Sequence, residues 1–134
     1  MSNYIFLTVM LIAFAVLFHP HPAPAQDRDA LFAAICMVES SNNPNAHNRG
    51  EDARGIIQVR AIMVRDVNRI LGRDHYTHND AYNPTKARQM WFTYCHHYYP
   101  NGTDEEWARA WNGGPRGPQR EATLGCWHKV RQHL

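Results

Sequence analysis

The sequence ICMVES at residues 35–40 is an apolar helical segment that ends in one glutamate. Glu39 follows Ile35 by four residues, so both side chains lie on the face of the predicted helix that the core covers. A carboxylate there is poorly solvated and sits at the negative end of the helix dipole, and both effects raise its pKa. Such a group suits a general acid near neutral pH. The local pattern fits equally a carboxylate that pairs with an arginine.

Three short motifs follow this segment: NPNA at 43–46, GIIQ at 55–58 and WNGG at 111–114. The last motif reads as a helix end, since glycine commonly caps helices and proline follows it here. It also supplies an aromatic ring and an amide, the groups that a sugar site uses for stacking and hydrogen bonding. From this segment alone, both interpretations stay open.

Residues 1–25 read as a secretory signal peptide. An uncharged apolar run of about fifteen residues, 4–18, is shorter than the roughly 20 that a membrane-spanning helix needs. The small residues at 23–25 match a cleavage site. No Lys or Arg precedes the run, so an uncleaved N-terminal anchor is the alternative. In either case we expect residues 26–134 to form one domain that is exported, in the periplasm or the extracellular space.

The formal net charge of +2 is too small to indicate a nucleic-acid partner. Mild basicity suits instead a polymer with acidic groups, such as a cell wall. Seven of the nine histidines lie after residue 25, but their spacing lacks the pattern of a metal site. We therefore expect neither a metal nor another cofactor.

Helical spacing of apolar residues recurs along the chain, which predicts a mainly α fold with a minor extended segment at 55–59. The first helix is expected to begin near Asp27. Gly72 is a predicted helix end, and Asn83 before Pro84 is a predicted helix start. A capping box at 103–106 predicts a short helix, and a last helix is expected at about 120–133.

Three cysteines in an oxidising compartment permit one disulfide and leave one thiol. Their spacing excludes a zinc ribbon. Cys36 reads as a buried packing residue, whereas Cys95 and Cys126 belong to later helices and are the pair that can form a bridge.

Taken together and in order, these motifs resemble the catalytic domain of soluble-type lytic transglycosylases, known as the SLT domain, and of their goose-type lysozyme relatives. The motifs that carry the resemblance are ES at 39–40, NP at 43–44 with Ala46, GIIQ at 55–58, AWNGG at 110–114 and the helix start at 83–84. The resemblance spans nearly all of residues 26–134 and implies a lysozyme-like single domain.

The resemblance implies that Glu39 is the sole catalytic acid and base. It would protonate the glycosidic oxygen between N-acetylmuramic acid and N-acetylglucosamine, and then take the proton of the muramic C6 hydroxyl. The internal attack gives a 1,6-anhydro product without water, so a second catalytic carboxylate is unnecessary. The implied substrate is the glycan strand of peptidoglycan, bound by a monomer that acts alone or with an envelope-spanning assembly.

The substrate-binding candidates include Gln58 beside the acid and Asn112, which would hold the sugar. Ser40 is also a candidate, although it is better suited to supporting the helix end. Asn48 stands where the family often has serine. Trp111 replaces a tyrosine whose hydroxyl donates to the catalytic glutamate, and its indole N–H is a possible substitute donor. A further departure is that Ile-Ile replaces the family's Leu-Met in GIIQ, at similar volume.

Two rival functions remain open. A hydrolytic lysozyme on the same scaffold would use a second carboxylate to orient water, with Glu51 and Asp52 as candidates, although a solvated loop pair explains these two charges as well. A non-catalytic peptidoglycan-binding protein would keep the groove without the chemistry. The presence of both Glu39 and Gln58 argues against this second rival.

Overall fold

The computed structural model describes residues 28–134, so the predicted signal segment at 1–25 and the expected helix start near Asp27 lie outside the described residues. The described part is mainly α with one small antiparallel sheet, as the sequence predicts. The α-helices are α1 (Asp29–Ser40), α2 (Ala61–Leu71), α3 (Pro84–Tyr98), α4 (Asp104–Gly113) and α5 (Leu124–Val130). None of the helices within residues 28–134 has the length and apolar character to cross a membrane.

Local capping signals end and start these helices where the sequence predicts. Gly72 caps α2 in the left-handed conformation, with φ of 69°. The Asn83 side chain accepts the Lys86 amide at the start of α3, at 3.0 Å. Thr103 and Glu106 form the reciprocal capping box of α4. These termini therefore follow from residues within one helical turn.

The extended segment lies earlier than predicted. The strands are β1 (His47–Asn48) and β2 (Ala53–Arg54), with His47 opposite Arg54. Residues 55–58 instead form turns, and Val59 makes only an isolated bridge back to Arg54. Left-handed conformations at Gly55 and Gln58, with φ of 77° and 53°, prevent an extended path through this segment.

The predicted last helix is divided into a short 3₁₀ turn (Glu121–Thr123), helix α5, and a second 3₁₀ turn (Arg131–His133). The buried Thr123 hydroxyl bonds to the carbonyls of Gly117 and Arg120, at 2.7 and 2.8 Å. These bonds hold the chain before α5 in a turn.

The core is formed by α1, α2, α3 and α4, together with the segment 56–59 and Val130 of α5. Trp91 of α3 and Trp107 of α4 are almost wholly buried and pack edge to face, with ring centroids 5.2 Å apart. The guanidinium of Arg28, at the start of α1, lies 4.3 Å over the Trp107 ring. It also pairs with Asp104 and donates to the Gly102 carbonyl, which ties the beginnings of α1 and α4 together.

The proposed bridge between Cys95 and Cys126 is not formed, since all three cysteines are free thiols. Cys95 is fully buried against α4, where its thiol contacts the Trp107 carbonyl at 3.6 Å. Cys126 lies on α5, which packs on α1, and the charge of Glu39 acts on its thiol. The two sulfurs therefore face different neighbours.

Candidate active site

Glu39 lies in the last turn of α1 and lines a cleft of about 120 Å³. Burial raises its pKa from 4.5 to about 7, the positive charge of Arg60 acts in the opposite direction, and the negative charge of Glu51 raises it further. Among residues 28–134, no arginine or lysine forms an ion pair with Glu39. The interpretation of Glu39 as half of a structural ion pair is therefore wrong.

The cleft gathers polar side chains from four parts of the described chain. Its lining residues are Glu39, Glu51, Gln58, Arg60, Met63, Trp111 and Asn112. Of the predicted site residues, Glu39, Gln58, Trp111 and Asn112 thus meet at one place, although up to 73 positions separate them in sequence. A protonated carboxyl group with amides beside it can donate a proton to a bound oxygen and orient hydroxyl or acetamido groups.

The loop that carries Gln58 is fixed from both sides. The Ser40 hydroxyl donates to the Ile56 carbonyl at 2.7 Å, and the Trp111 indole N–H donates to the Ile57 carbonyl at 3.0 Å. The side-chain amide nitrogen of Gln58, Nε2, donates to the Gly55 carbonyl at 3.0 Å. Its carboxamide oxygen has no partner within residues 28–134 and is the atom available to a ligand.

Ser40 and Trp111 hold this loop rather than presenting polar atoms to the cleft. The Trp111 side chain is only 2% exposed, so its ring face cannot stack on a sugar. Its indole N–H donates to the Ile57 carbonyl and not to Glu39. The expectation that the indole would replace the family's tyrosine hydroxyl as a donor to the acid is therefore wrong.

Asn48 does not lie among the residues that line the cleft. It is exposed in β1, and its side-chain oxygen accepts the Gly50 amide at 3.1 Å, which shapes the hairpin turn. Asn112 instead borders two cavities, the acid cleft and a neighbouring groove of about 560 Å³. The Arg60 guanidinium donates to its main-chain carbonyl at 3.3 Å.

Two adjacent acids of the hairpin have different surroundings. Glu51 lines the cleft, whereas Asp52 accepts hydrogen bonds from the Arg54 guanidinium and the His47 ring, at 2.9 and 2.8 Å. These bonds lower the pKa of Asp52. Asp52 therefore stabilises the hairpin, and Glu51 is the second carboxylate of the cleft.

Sequence reasoning missed Arg60, which follows GIIQ by two residues and lines the cleft. Only its proximity to GIIQ could have indicated it. No group of three His, Cys, Asp or Glu side chains within the described part of the chain is placed to hold a metal ion.

Comparison with known proteins identifies the family of the chain. The model of the transglycosylase SLT domain family matches residues 24–123, which include the whole cleft. A search of curated proteins found no match. The chain therefore belongs to the transglycosylase SLT domain family and, at the level of that family, has a peptidoglycan-acting function like that of the lytic transglycosylases.

Proposed function

We propose that the protein is a peptidoglycan lytic transglycosylase that cleaves the β-1,4 bond between N-acetylmuramic acid and N-acetylglucosamine. The observation that carries the proposal is the burial of Glu39 in a polar cleft, with a pKa of about 7. A carboxyl group with this pKa is substantially protonated at neutral pH and can act first as an acid and then as a base. The family match supports the same class of substrate.

Glu39 would give its proton to the glycosidic oxygen, which leaves with N-acetylglucosamine. The muramic C6 hydroxyl would then attack C1, and the Glu39 carboxylate would take the hydroxyl proton. One C–O bond breaks and one forms, no water is consumed, and Glu39 ends protonated again. Gln58 and Asn112, which line the same cleft as Glu39, would hold the sugars while this happens.

Mass spectrometry of products released from purified peptidoglycan by residues 26–134 tests the proposal, with E39Q as the control. We expect 1,6-anhydro ends, about 18 mass units lighter than reducing ends, and no release by E39Q. Release of products by E39Q at the wild-type rate would exclude Glu39 as the acid. No release by either protein would favour a binding protein.

Hydrolysis on the same scaffold is the second candidate because Glu51 lines the cleft beside the acid. A carboxylate across the cleft is what an inverting glycosidase uses to activate water. Reducing ends among the products, lost in E51Q and kept in D52N, would establish this reaction. Anhydro products from E51Q would instead leave Glu39 as the only carboxylate required.

We also propose that the protein works as an exported monomer, in the periplasm or the extracellular space, or held at the membrane by an uncleaved N-terminal segment. Peptidoglycan lies outside the inner membrane, so the proposed substrate is reached only after export. Fractionation of cells with an antibody, together with N-terminal sequencing, tests both the location and cleavage after Ala25.

A further inference from the structure

A groove of about 560 Å³ continues from the acid cleft, and the two share Arg60, Met63 and Asn112 as lining residues. A third cavity of about 460 Å³ shares Arg65 and Arg69 with this groove. The three cavities therefore follow α2 from its start to its end. We call the 560 Å³ groove and the 460 Å³ cavity together the arginine groove.

Positive charge is concentrated in the arginine groove. Five arginines and two aspartates line it, a surplus of three positive charges, whereas the whole chain has a formal net charge of +2. The arginines are Arg60, Arg65, Arg69, Arg73 and Arg120. A concave surface with this surplus attracts anions.

Most of these guanidinium groups are not neutralised by the protein. Arg69 is paired with Asp66, at 2.6 Å. Within residues 28–134, Arg65, Arg73 and Arg120 form no ion pair. An anionic ligand would supply the counter-charges that these guanidinium groups lack. A guanidinium also fits a carboxylate through two parallel hydrogen bonds.

The groove is also partly apolar and has a defined length. Ile62 of α2 is 61% exposed, and it lines the groove together with Pro115. The 11 residues of α2 rise about 17 Å along the helix axis. An extended peptide of about five residues spans about 17 Å. The occupant should therefore be a short peptide that has both carboxylates and small apolar groups.

We propose that the arginine groove binds the peptide stem of peptidoglycan through its carboxylates. The inference rests on the proposed function, because the stem is attached to the muramic acid whose glycosidic bond would lie at Glu39. A stem that leaves the sugar there enters the adjoining groove directly. Its carboxylates meet the arginines, and its alanine methyl groups meet Ile62 and Pro115.

Binding measurements with the E39Q protein test the inference. The probes are soluble peptidoglycan glycan chains with their stems, and the same chains after an amidase has removed the stems. We expect the stem-bearing chains to bind at least about tenfold more tightly at low salt, with the preference weakening as salt is added.

In the variant R65Q/R120Q, made in the same E39Q background, the ratio of the affinities for stem-bearing and stem-free chains should fall towards one. The matched control K129Q/R131Q removes two positive charges from exposed positions outside the groove and should keep the preference. Circular dichroism checks that both variants fold, and R65Q/R73Q provides a second test of the same groove.

Equal affinity for the two glycans, or a preference that survives R65Q/R120Q, would overturn the inference. A poly-glutamate peptide without glycan that binds as tightly as the stem-bearing chains would assign the groove to an acidic protein instead. Turnover of stem-free glycan by the wild type reports on the proposed function separately. Turnover without a stem preference removes only the groove assignment, and a stem preference without turnover removes only the enzymatic proposal.

Discussion

Glu39 and Glu51 line one small cleft, and the negative charge of Glu51 helps to raise the pKa of Glu39 to about 7. Burial contributes more to this shift, and the positive charge of Arg60 opposes it. The proton affinity of the proposed acid is therefore set by one α-helix, the hairpin that precedes α2, and the residue just before α2.

The pH dependence of turnover should follow Glu39. The first step needs the protonated carboxyl group, so kcat/KM should fall about tenfold per pH unit above an apparent pKa of about 7. E51Q should move this descending limb to lower pH, and R60Q should move it to higher pH. Initial rates on soluble glycan between pH 5 and pH 9 measure this, with D52N as the control because its charge does not act on Glu39. Limbs that move in the opposite directions would contradict the assignment.

E39Q should be more stable than the wild type at alkaline pH. A pKa raised in the folded state means that folding takes up a proton between the unfolded value of 4.5 and about 7. Wild-type stability should fall across this interval and stay lower above it, by as much as about 3 kcal/mol if the whole shift is realised. Urea unfolding of both proteins at pH 4 and pH 8 measures the difference. If the unfolding free energies of the two proteins differ by the same amount at pH 4 and at pH 8, Glu39 is not desolvated.

Gly55→Ala should be severely destabilising. A Cβ atom there would lie 1.9 Å from the Ala81 carbonyl oxygen, and φ is 77°. Gly72→Ala is the matched control, since its φ is similar, at 69°, but no atom beyond the adjoining residues of the chain lies within 4 Å of the added Cβ. We expect the control to lose about 1–2 kcal/mol of unfolding free energy, from backbone strain alone, and Gly55→Ala to lose clearly more. Thermal unfolding compares the two, and equal losses would mean that the contact with Ala81 relaxes freely.

Trp111→Phe should cost more stability than Trp91→Phe. Both indoles are buried, but the Trp111 N–H donates to the Ile57 carbonyl, whereas the Trp91 N–H has no partner within residues 28–134. Both changes leave a cavity, and only the first removes a buried hydrogen bond, worth about 1 kcal/mol or more. Trp111→Phe should also lower kcat/KM, because the loop that carries Gln58 loses one of its anchors. A larger loss for Trp91→Phe would contradict this account.

Local signals made much of the fold predictable. Asn83 and the capping box of Thr103 and Glu106 act within one helical turn, and the end of α2 at Gly72 is equally local. The motifs around Glu39, Gln58 and Asn112 also identified three residues that share the cleft.

The parts that sequence reasoning missed depend on contacts between distant residues or on backbone conformation. The contact of Trp111 with Ile57 crosses 54 positions, so no local pattern indicates which acceptor the indole takes. Gln58 adopts a left-handed conformation although it is not glycine. Adjacent acids such as Glu51 and Asp52 cannot be told apart until the hairpin directs one of them into the cleft.

Helix α4 has a further consequence for recognition. Its first turn is joined to α1 by Arg28, and near its end Arg109 donates to the Thr123 hydroxyl at 2.9 Å and to the Arg120 carbonyl. Asn112 lies in the last turn of this helix, which is fastened at two places. The backbone of the cleft wall that carries Asn112 is therefore ordered when the chain folds. Little conformational entropy remains to be lost there when a sugar binds, so more of the contact energy can appear as affinity.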